Sequence, residues 1–593
     1  MYLQRHGRAC ATWLAAAGVG LSAMGGSASA QYAPPTAAQT AGTPQQLNPA
    51  GQLPAVRRAR PGDVFSGPPR ADCGEEIRRA TTTFRLQAVD VVGPAGMPPN
   101  AIREAYADMV GQTIPVGEVC TIADRISAML FARGILARVY LPEQQIAAAE
   151  GRVRIEVVEA RIVSVRYSIA PQVGRAEHLV EAYLDHLRGL TPFDLDTAQR
   201  YLLLANDIPG VRVTAALRHS ASPYAGEDSA GALDLDVTVT RRAINVQAAV
   251  ENTNSSTLGP WSGIARADFN SFTQYGDRTT LIVYSTLGNS EQEVVQILEQ
   301  ARIGSSGLYA AGSFAYGWSA PGGVLAPLGL QGRSLVGTVE LDYPAIRLRR
   351  RDLTFGAGID IIRQATDFKT GGVLNDDNLR VLWARADEVE NHEWPDTPLG
   401  DLKFTAGTTL EIRKGVDIFG ASQPGQPTLS RIQGQPDAWV ERIEGHDLLS
   451  LLPPAEVPPL SLEIHFMGQY TDQPLLAYEQ QAIGNLTIGR GYDPSSLTAD
   501  RAIAVEFQPE IGPIQITPRV SVTPYGFYDI AYTSDLESGF SPVTVRSVGG
   551  GVTFRLPYNL HADIAYADPL DKLFAGAPSK PPARVLVQIA IAF

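Results

Sequence analysis

Two charges of opposite sign hold the most chemical potential in this sequence: Arg490 in Gly489-Arg490-Gly491-Tyr492, and Asp529 in Phe527-Tyr528-Asp529-Ile530-Ala531. On an extended strand alternate side chains share a face. From Arg519 to Asp529 this groups Arg519, Ser521, Thr523, Tyr525, Phe527 and Asp529, with Val520, Val522 and Ile530 opposite. A carboxylate turned into an enclosed sheet needs a partner, and the planar guanidinium fork satisfies one bidentately. The expectation is an Arg490–Asp529 ion pair; the bland alternative is two unrelated charges in wet surroundings. The cysteines offer a second piece of chemistry. Cys73 and Cys120 remain once Cys10 leaves with an N-terminal leader, and such a pair forms a disulfide in an oxidising compartment. Two free thiols are the alternative, and with no nearby His they cannot complete a metal centre.

Catalytic signatures are missing. The chain has no H-E-x-x-H, no G-x-S-x-G and no G-x-x-x-x-G-K-[ST]. No catalytic residue, metal or cofactor is expected. His178 and His186 read as one exposed helix face, and Asp376-Asp377 as solvated loop residues. Gly549-Gly550-Gly551 marks a close backbone approach or a bend rather than a phosphate cradle.

Composition narrows what must position these residues. The chain has 593 residues with 56 Gly and 42 Pro, a balance that favours strands and turns over long helices. Its 62 acidic against 49 basic residues give a net charge of -13, which argues against a nucleic-acid partner. Beyond residue 30 no run of about 20 apolar residues could cross a bilayer as a helix. Membrane-spanning strands stay open, because they need an apolar residue only at alternate positions.

The first 30 residues read as a secretory signal peptide. Arg5 and Arg8 precede the apolar run Ala11–Met24, and Ala28-Ser29-Ala30 gives the cleavage pattern. Residues 31–80 form a Pro-rich linker, with Gly51–Arg60 able to make a short plug helix at most. Two α/β units of order β-α-α-β-β follow, over 81–160 and 161–241. The first places a strand from Phe84, helices at Ala101–Met109 and Thr121–Ala132 capped by Gly134, then strands Ile135–Leu141 and Val153–Val158. The second places Val163–Tyr167, helices Ala176–Leu187 and Asp194–Leu204, then Val211–Leu217 and Leu233–Thr240.

From residue 242 the periodicity becomes two. Val585, Val587, Ile589, Ile591 and Phe593 alternate with Arg584, Leu586, Gln588, Ala590 and Ala592; Ile503, Val505 and Phe507 alternate with Ala504, Glu506 and Gln508. A soluble sandwich would also alternate, but these strands are long, carry charge on the second face and run to a terminal aromatic. About sixteen such runs, from 245–256 through 501–511 and 515–532 to 584–593, read as an antiparallel transmembrane β-barrel over 242–593.

Three stretches carry a family resemblance. They are Val116-Gly117-Glu118-Val119-Cys120 with Gly134-Ile135-Leu136 and Leu141-Pro142-Glu143-Gln144; Asn206-Asp207-Ile208-Pro209-Gly210-Val211; and Gly489-Arg490-Gly491-Tyr492 running to Thr498-Ala499-Asp500-Arg501. Together with the layout, they resemble the two-partner secretion transporters of the POTRA-plus-barrel superfamily. Gly489 stands where that family has Val in its (V)RG(Y/F) loop tip, and Ala531 replaces Gly in its F-x-D-x-G strand motif. The resemblance implies an outer-membrane protein with its POTRA units in the periplasm. Its long sixth extracellular loop, near 474–500, would be locked by Arg490, Gly491, Tyr492, Phe527 and Asp529. It also implies an unfolded secreted exoprotein as partner, contact with outer-membrane lipid, and insertion by the barrel assembly machinery through Phe593. A barrel assembly factor and a passive porin are the alternatives.

Overall fold

The computed structural model describes residues 40, 42–49, 53, 71–93, 102–132, 135, 137–146, 151–159, 161–187, 194–220, 232–288, 291–453 and 457–593 apart from 575. A short helix α1 (Pro44–Leu47) precedes α2 (Glu75–Arg78) and the first α/β unit. That unit holds β1 (Thr83–Arg85), β2 (Ala88–Val92), β3 (Thr113–Pro115), α3 (Glu118–Ala132), β4 (Ala137–Tyr140) and β5 (Arg152–Glu159). β2 runs parallel to β5, which pairs antiparallel with β4. α3 lays Val119, Ile122, Ala123, Ile126 and Leu130 on the sheet, the spacing of one helical face. The expected helix over 101–109 is instead a chain of tight turns, with Ala105, Tyr106 and Met109 each bonding three residues back. The Gly134 cap lies outside the described residues.

The second unit repeats the topology. It comprises β6 (Arg161–Ile169), α4 (Glu177–Leu184), α5 (Leu195–Asn206), β7 (Val211–His219) and β8 (Ala232–Arg241). β6 is parallel to β8 and β7 antiparallel to it. Asp194 caps α5 through the amides of Asp196 and Thr197. The turn after α5 shows why its sequence is specific. Asn206 accepts from the Val213 amide at 2.9 Å, and Gly210 takes φ +74. Asp207 meets Arg347 of the next domain in a two-point pair at 2.6 and 2.8 Å.

The remaining chain closes into a barrel. Its first strands are β9 (Ile244–Glu251), β10 (Ser262–Asn270), β11 (Arg278–Thr286), β12 (Gln292–Arg302) and β13 (Tyr309–Ser319). Next come β14 (Leu330–Arg347), β15 (Arg351–Phe368), β16 (Val373–Thr397), β17 (Gly400–Gly415), β18 (Trp439–Leu452) and β19 (Leu460–Tyr470). After two short loop strands, β20 (Gln481–Ile483) and β21 (Leu497–Ala499), the wall resumes with β22 (Arg501–Ile511) and its extension β23 (Ile514–Thr517). It ends with β24 (Val520–Ser534), β25 (Val543–Leu556), β26 (Leu560–Pro569) and β27 (Arg584–Ala592). With β23 counted into β22, sixteen antiparallel strands close where β27 pairs with β9.

Its side chains are arranged inside out. Val283, Val295, Leu341, Ile503 and Val585 are exposed, whereas Asp268, Gln296, Asp342, Gln364 and Glu506 are buried. Such a surface is unfavourable in water and matches a bilayer, with the polar face turned to the lumen. Asp376 and Asp377 lie on β16 rather than in a loop: Asp376 pairs with Arg363, and Asp377 is buried against the Ser430 amide. They are wall residues of the long strand.

Candidate functional site

The loop between β19 and β22, residues 471–500, folds back into the lumen. A small hairpin, β20 against β21, stiffens it, and Ala482, Ile483 and Tyr492 are buried. Gly489 takes φ +117 at the tip and lies 3.4 Å from Ile483 where a Cβ would stand. A Val there would be strained, so the departure from the family pattern suits this backbone.

The tip meets β22 and β24. The Arg490 amide donates to Asp529 Oδ2 at 2.7 Å, and Ser547 Oγ donates to the same oxygen at 2.6 Å. The Arg490 guanidinium does not pair with Asp529, as the sequence suggested; it bonds Glu506. The reason is register. Glu506 stands directly across from Asp529, and Asp529 Oδ2 is already engaged by the backbone and a hydroxyl, so the longer arm reaches the next carboxylate. The guanidinium also lies 4.7 Å from the Phe527 ring centre and 5.8 Å from that of Tyr525. Gly549 and Gly551 leave room for those rings: a Cβ on either would fall within 2.6 Å of Phe527 or Tyr525 carbons or oxygen. The glycine run is thus a close approach within β25.

Gly491 and Tyr492 fasten the other side. A Cβ on Gly491 would stand 2.7 Å from the Pro569 nitrogen and 2.8 Å from Ser547 Cβ. The Tyr492 hydroxyl lies 2.9 Å from the Arg546 carbonyl and accepts from the Asp571 amide at 3.1 Å. Asp493 pairs with Arg584 at 3.0 Å and accepts from Ser256 Oγ at 2.7 Å.

The loop's root carries charges that motif reading missed. Glu479 is held in two-point fashion by Arg413, both contacts at 2.9 Å, with Arg442 at 3.3 Å. Burial alone would push its carboxyl up, but the two guanidinium groups hold it below the usual range. Asp500, fully buried, receives Arg431 of the 416–438 loop and the amides of Leu475 and Leu536 at 3.0 and 2.8 Å. Arg431 also reaches Asp535 at 3.1 Å and Glu537 at 3.2 Å. Glu479 carried no motif, its one legible signal being an isolated acid between Tyr478 and Gln480, whereas Asp500 lies in the Thr498-Ala499-Asp500-Arg501 stretch without its partners being legible.

The family model of the POTRA domain, ShlB-type, matches residues 84–160. That of the haemolysin secretion/activation protein ShlB/FhaC/HecB matches residues 399–554, the stretch holding the inward loop with Glu506, Asp529 and Ser547. Over these two stretches the chain resembles the haemolysin secretion/activation proteins. Solved structures share the fold. CdiB from Escherichia coli is 12% identical at a TM-score of 0.60, over 87% of this chain and 91% of its own. CdiB from Acinetobacter baumannii is 12% identical at 0.55, over 86% and 90%. No curated protein sequence matches the chain.

The barrel holds a second insert in its lumen. Thr43 and Gln46 form a capping box on α1, and Leu47 joins Ile282, Tyr284, Val294 and Ile362 on the inner wall. Gln364 donates to the Gly42 carbonyl at 2.6 Å, Thr40 meets Thr366 at 3.1 Å, and Ser495 of the inward loop meets Thr43 at 3.3 Å. The helical turn falls earlier than the Gly51–Arg60 segment, which apart from Leu53 lies outside the described residues. Cys73 and Cys120 are joined in a disulfide with Cα atoms 5.9 Å apart, tying the linker's end to α3.

Proposed function

We propose that this chain sits in the outer membrane with its two α/β units in the periplasm, and passes an unfolded exoprotein through its lumen to the outside. The units would capture the client by strand addition, in which main-chain hydrogen bonds give affinity with tolerance of side-chain variety. β2 and β6 are edge strands suited to this role. The outer edge of β4 is already taken, since the Asp72 amide donates to the Val139 carbonyl at 2.8 Å.

One observation supports translocation over passive permeation. The lumen is filled by the 471–500 loop and the α1 segment, and both are held by polar contacts that can be exchanged for water or client. Among the described residues, a cavity of about 230 Å³ lies beside Arg490, Tyr525 and Asp563 and another of about 410 Å³ beside Asn48, Arg385 and Arg413. Neither admits a chain unless the inserts withdraw, as a gate does. Insertion of the protein itself would use the exposed C-terminal Phe593, read by the barrel assembly machinery. Deleting the gene and comparing culture supernatant with the outer-membrane proteome tests the reading. One large secreted protein should vanish and return on complementation. A general loss of barrels would favour an assembly factor, and altered small-solute uptake alone a porin.

A further inference from the structure

The wall beside the loop tip carries a side-chain cluster that the transport reading does not use. His446 on β18 stands directly across from His465 on β19, their ring centres 4.2 Å apart. Glu463, two positions from His465, shares its face. Glu463 Oε2 lies 4.0 Å from His446 Nε2 and 3.9 Å from His465 Nε2. One ligand atom from each of the three residues falls within 4.8 Å of the others. The face is the lumenal one, for Met467 and Gln469 continue it and Gln469 donates to the Glu479 carbonyl of the inward loop at 3.0 Å.

We propose that His446, Glu463 and His465 bind a divalent transition-metal ion of the Zn2+ type in the lumen wall. Two imidazoles and one carboxylate are the ligand set that suits Zn2+ while leaving a coordination position open. The donors sit on rigid neighbouring strands, so closing onto an ion needs only side-chain rotation. Gln508 on β22 donates to Glu463 Oε2 at 3.4 Å and helps orient the carboxylate. Both histidines are about half exposed, at 50% and 42%, so an ion can enter from the lumen. Water, or a donor on passing client, would complete the coordination.

The site adjoins the lock. His465 is the register partner of Glu506, and Glu506 of Asp529, so one lumenal row runs His446, His465, Glu506, Asp529, Ser547 across five strands. An ion there would join β18 to β19 one strand away from the carboxylate that holds Arg490.

The test uses the full chain, purified in detergent without a His tag, stripped with chelator and titrated with ZnCl2 by calorimetry. One saturable site per chain is expected. Its affinity should fall roughly tenfold or more in His465→Ala and in Glu463→Gln. Slower migration of boiled against unboiled samples verifies that each variant keeps its barrel. Co2+ in place of Zn2+ should give visible d–d absorption that the His446→Ala/His465→Ala double variant lacks. An isotherm unchanged in that double variant, or wild-type protein that takes up no ion, overturns the proposal.

Discussion

Arg490 touches Asp529 through its backbone amide, at 2.7 Å, while its guanidinium goes to Glu506. Residue 490 is therefore held to two carboxylates by separable contacts, one dependent on its side chain and one indifferent to it.

That separation is measurable by double-mutant cycles on the thermal midpoint of the folded barrel. Arg490→Ala and Glu506→Gln should be strongly non-additive, with a coupling of about 1–3 kcal/mol for groups in direct contact. Arg490→Ala and Asp529→Asn should be closer to additive, because an alanine at 490 still presents its amide. Secretion should fall in Arg490→Ala although the barrel inserts. Equal coupling in both cycles would rule out the division of labour.

Glu479 makes the root of the loop a second test. Glu479→Gln keeps the shape and removes the charge facing Arg413 and Arg442, whose remaining acidic neighbours are Asp360 and Glu411. Breaking a buried pair from one side costs about 3–5 kcal/mol. That cost should release the loop locally rather than unfold the barrel. Limited proteolysis should cut within 471–500, and channel conductance in a planar bilayer should rise. A protease-resistant loop and unchanged conductance would show that Glu479 does not anchor it.

The disulfide should act on the first α/β unit alone. The cysteines are 47 residues apart, and the chain-entropy model puts the benefit of closing such a loop at about 4 kcal/mol. Reduction, or Cys73→Ser/Cys120→Ser, should raise hydrogen exchange in α3 and β5 while leaving β9 to β27 protected. Exchange unaltered in α3 would contradict the assignment.

The barrel was legible because its alternation is enforced twice, by lipid outside and water inside, so that Val585 to Phe593 could be read with no neighbour known. The second α/β unit was legible for a related reason: its helices carry a clear apolar face and the Asp194 cap. Residues 101–109 misled because an apolar spacing near three to four also suits successive tight turns. Arg490 and Asp529 were found by motif and by strand parity. Glu506 lay in plain view on the same lumenal face, but which of two acids an arginine chooses depends on cross-strand register, and register is set by turns far along the chain. Glu479 and His446 with His465 were hidden for the same reason. Their partners are close only across strands or through a loop that doubles back, and no local pattern encodes either.

Register and loop packing also crowd three carboxylates onto Arg431, and acidity should therefore tighten the far-rim loops. Asp535 sits between Arg431 and Gln480, at 3.1 and 3.0 Å, beside buried Asp500. Burial pushes its carboxyl up to about 6; the attraction of Arg431 opposes this, and Asp500 adds to it. A carboxyl raised in the folded state above its ordinary 3.8 favours folding most when protonated. Its contribution is thus complete below that ordinary value and is lost as pH rises through about 6. Exchange protection of 471–500 and 535–542, corrected for intrinsic rates, should increase from about pH 7.5 to about pH 5. Asp535→Asn should show high protection at both, since its amide carries no charge to desolvate. A pH response as steep in Asp535→Asn as in the parent protein would place the effect on another group.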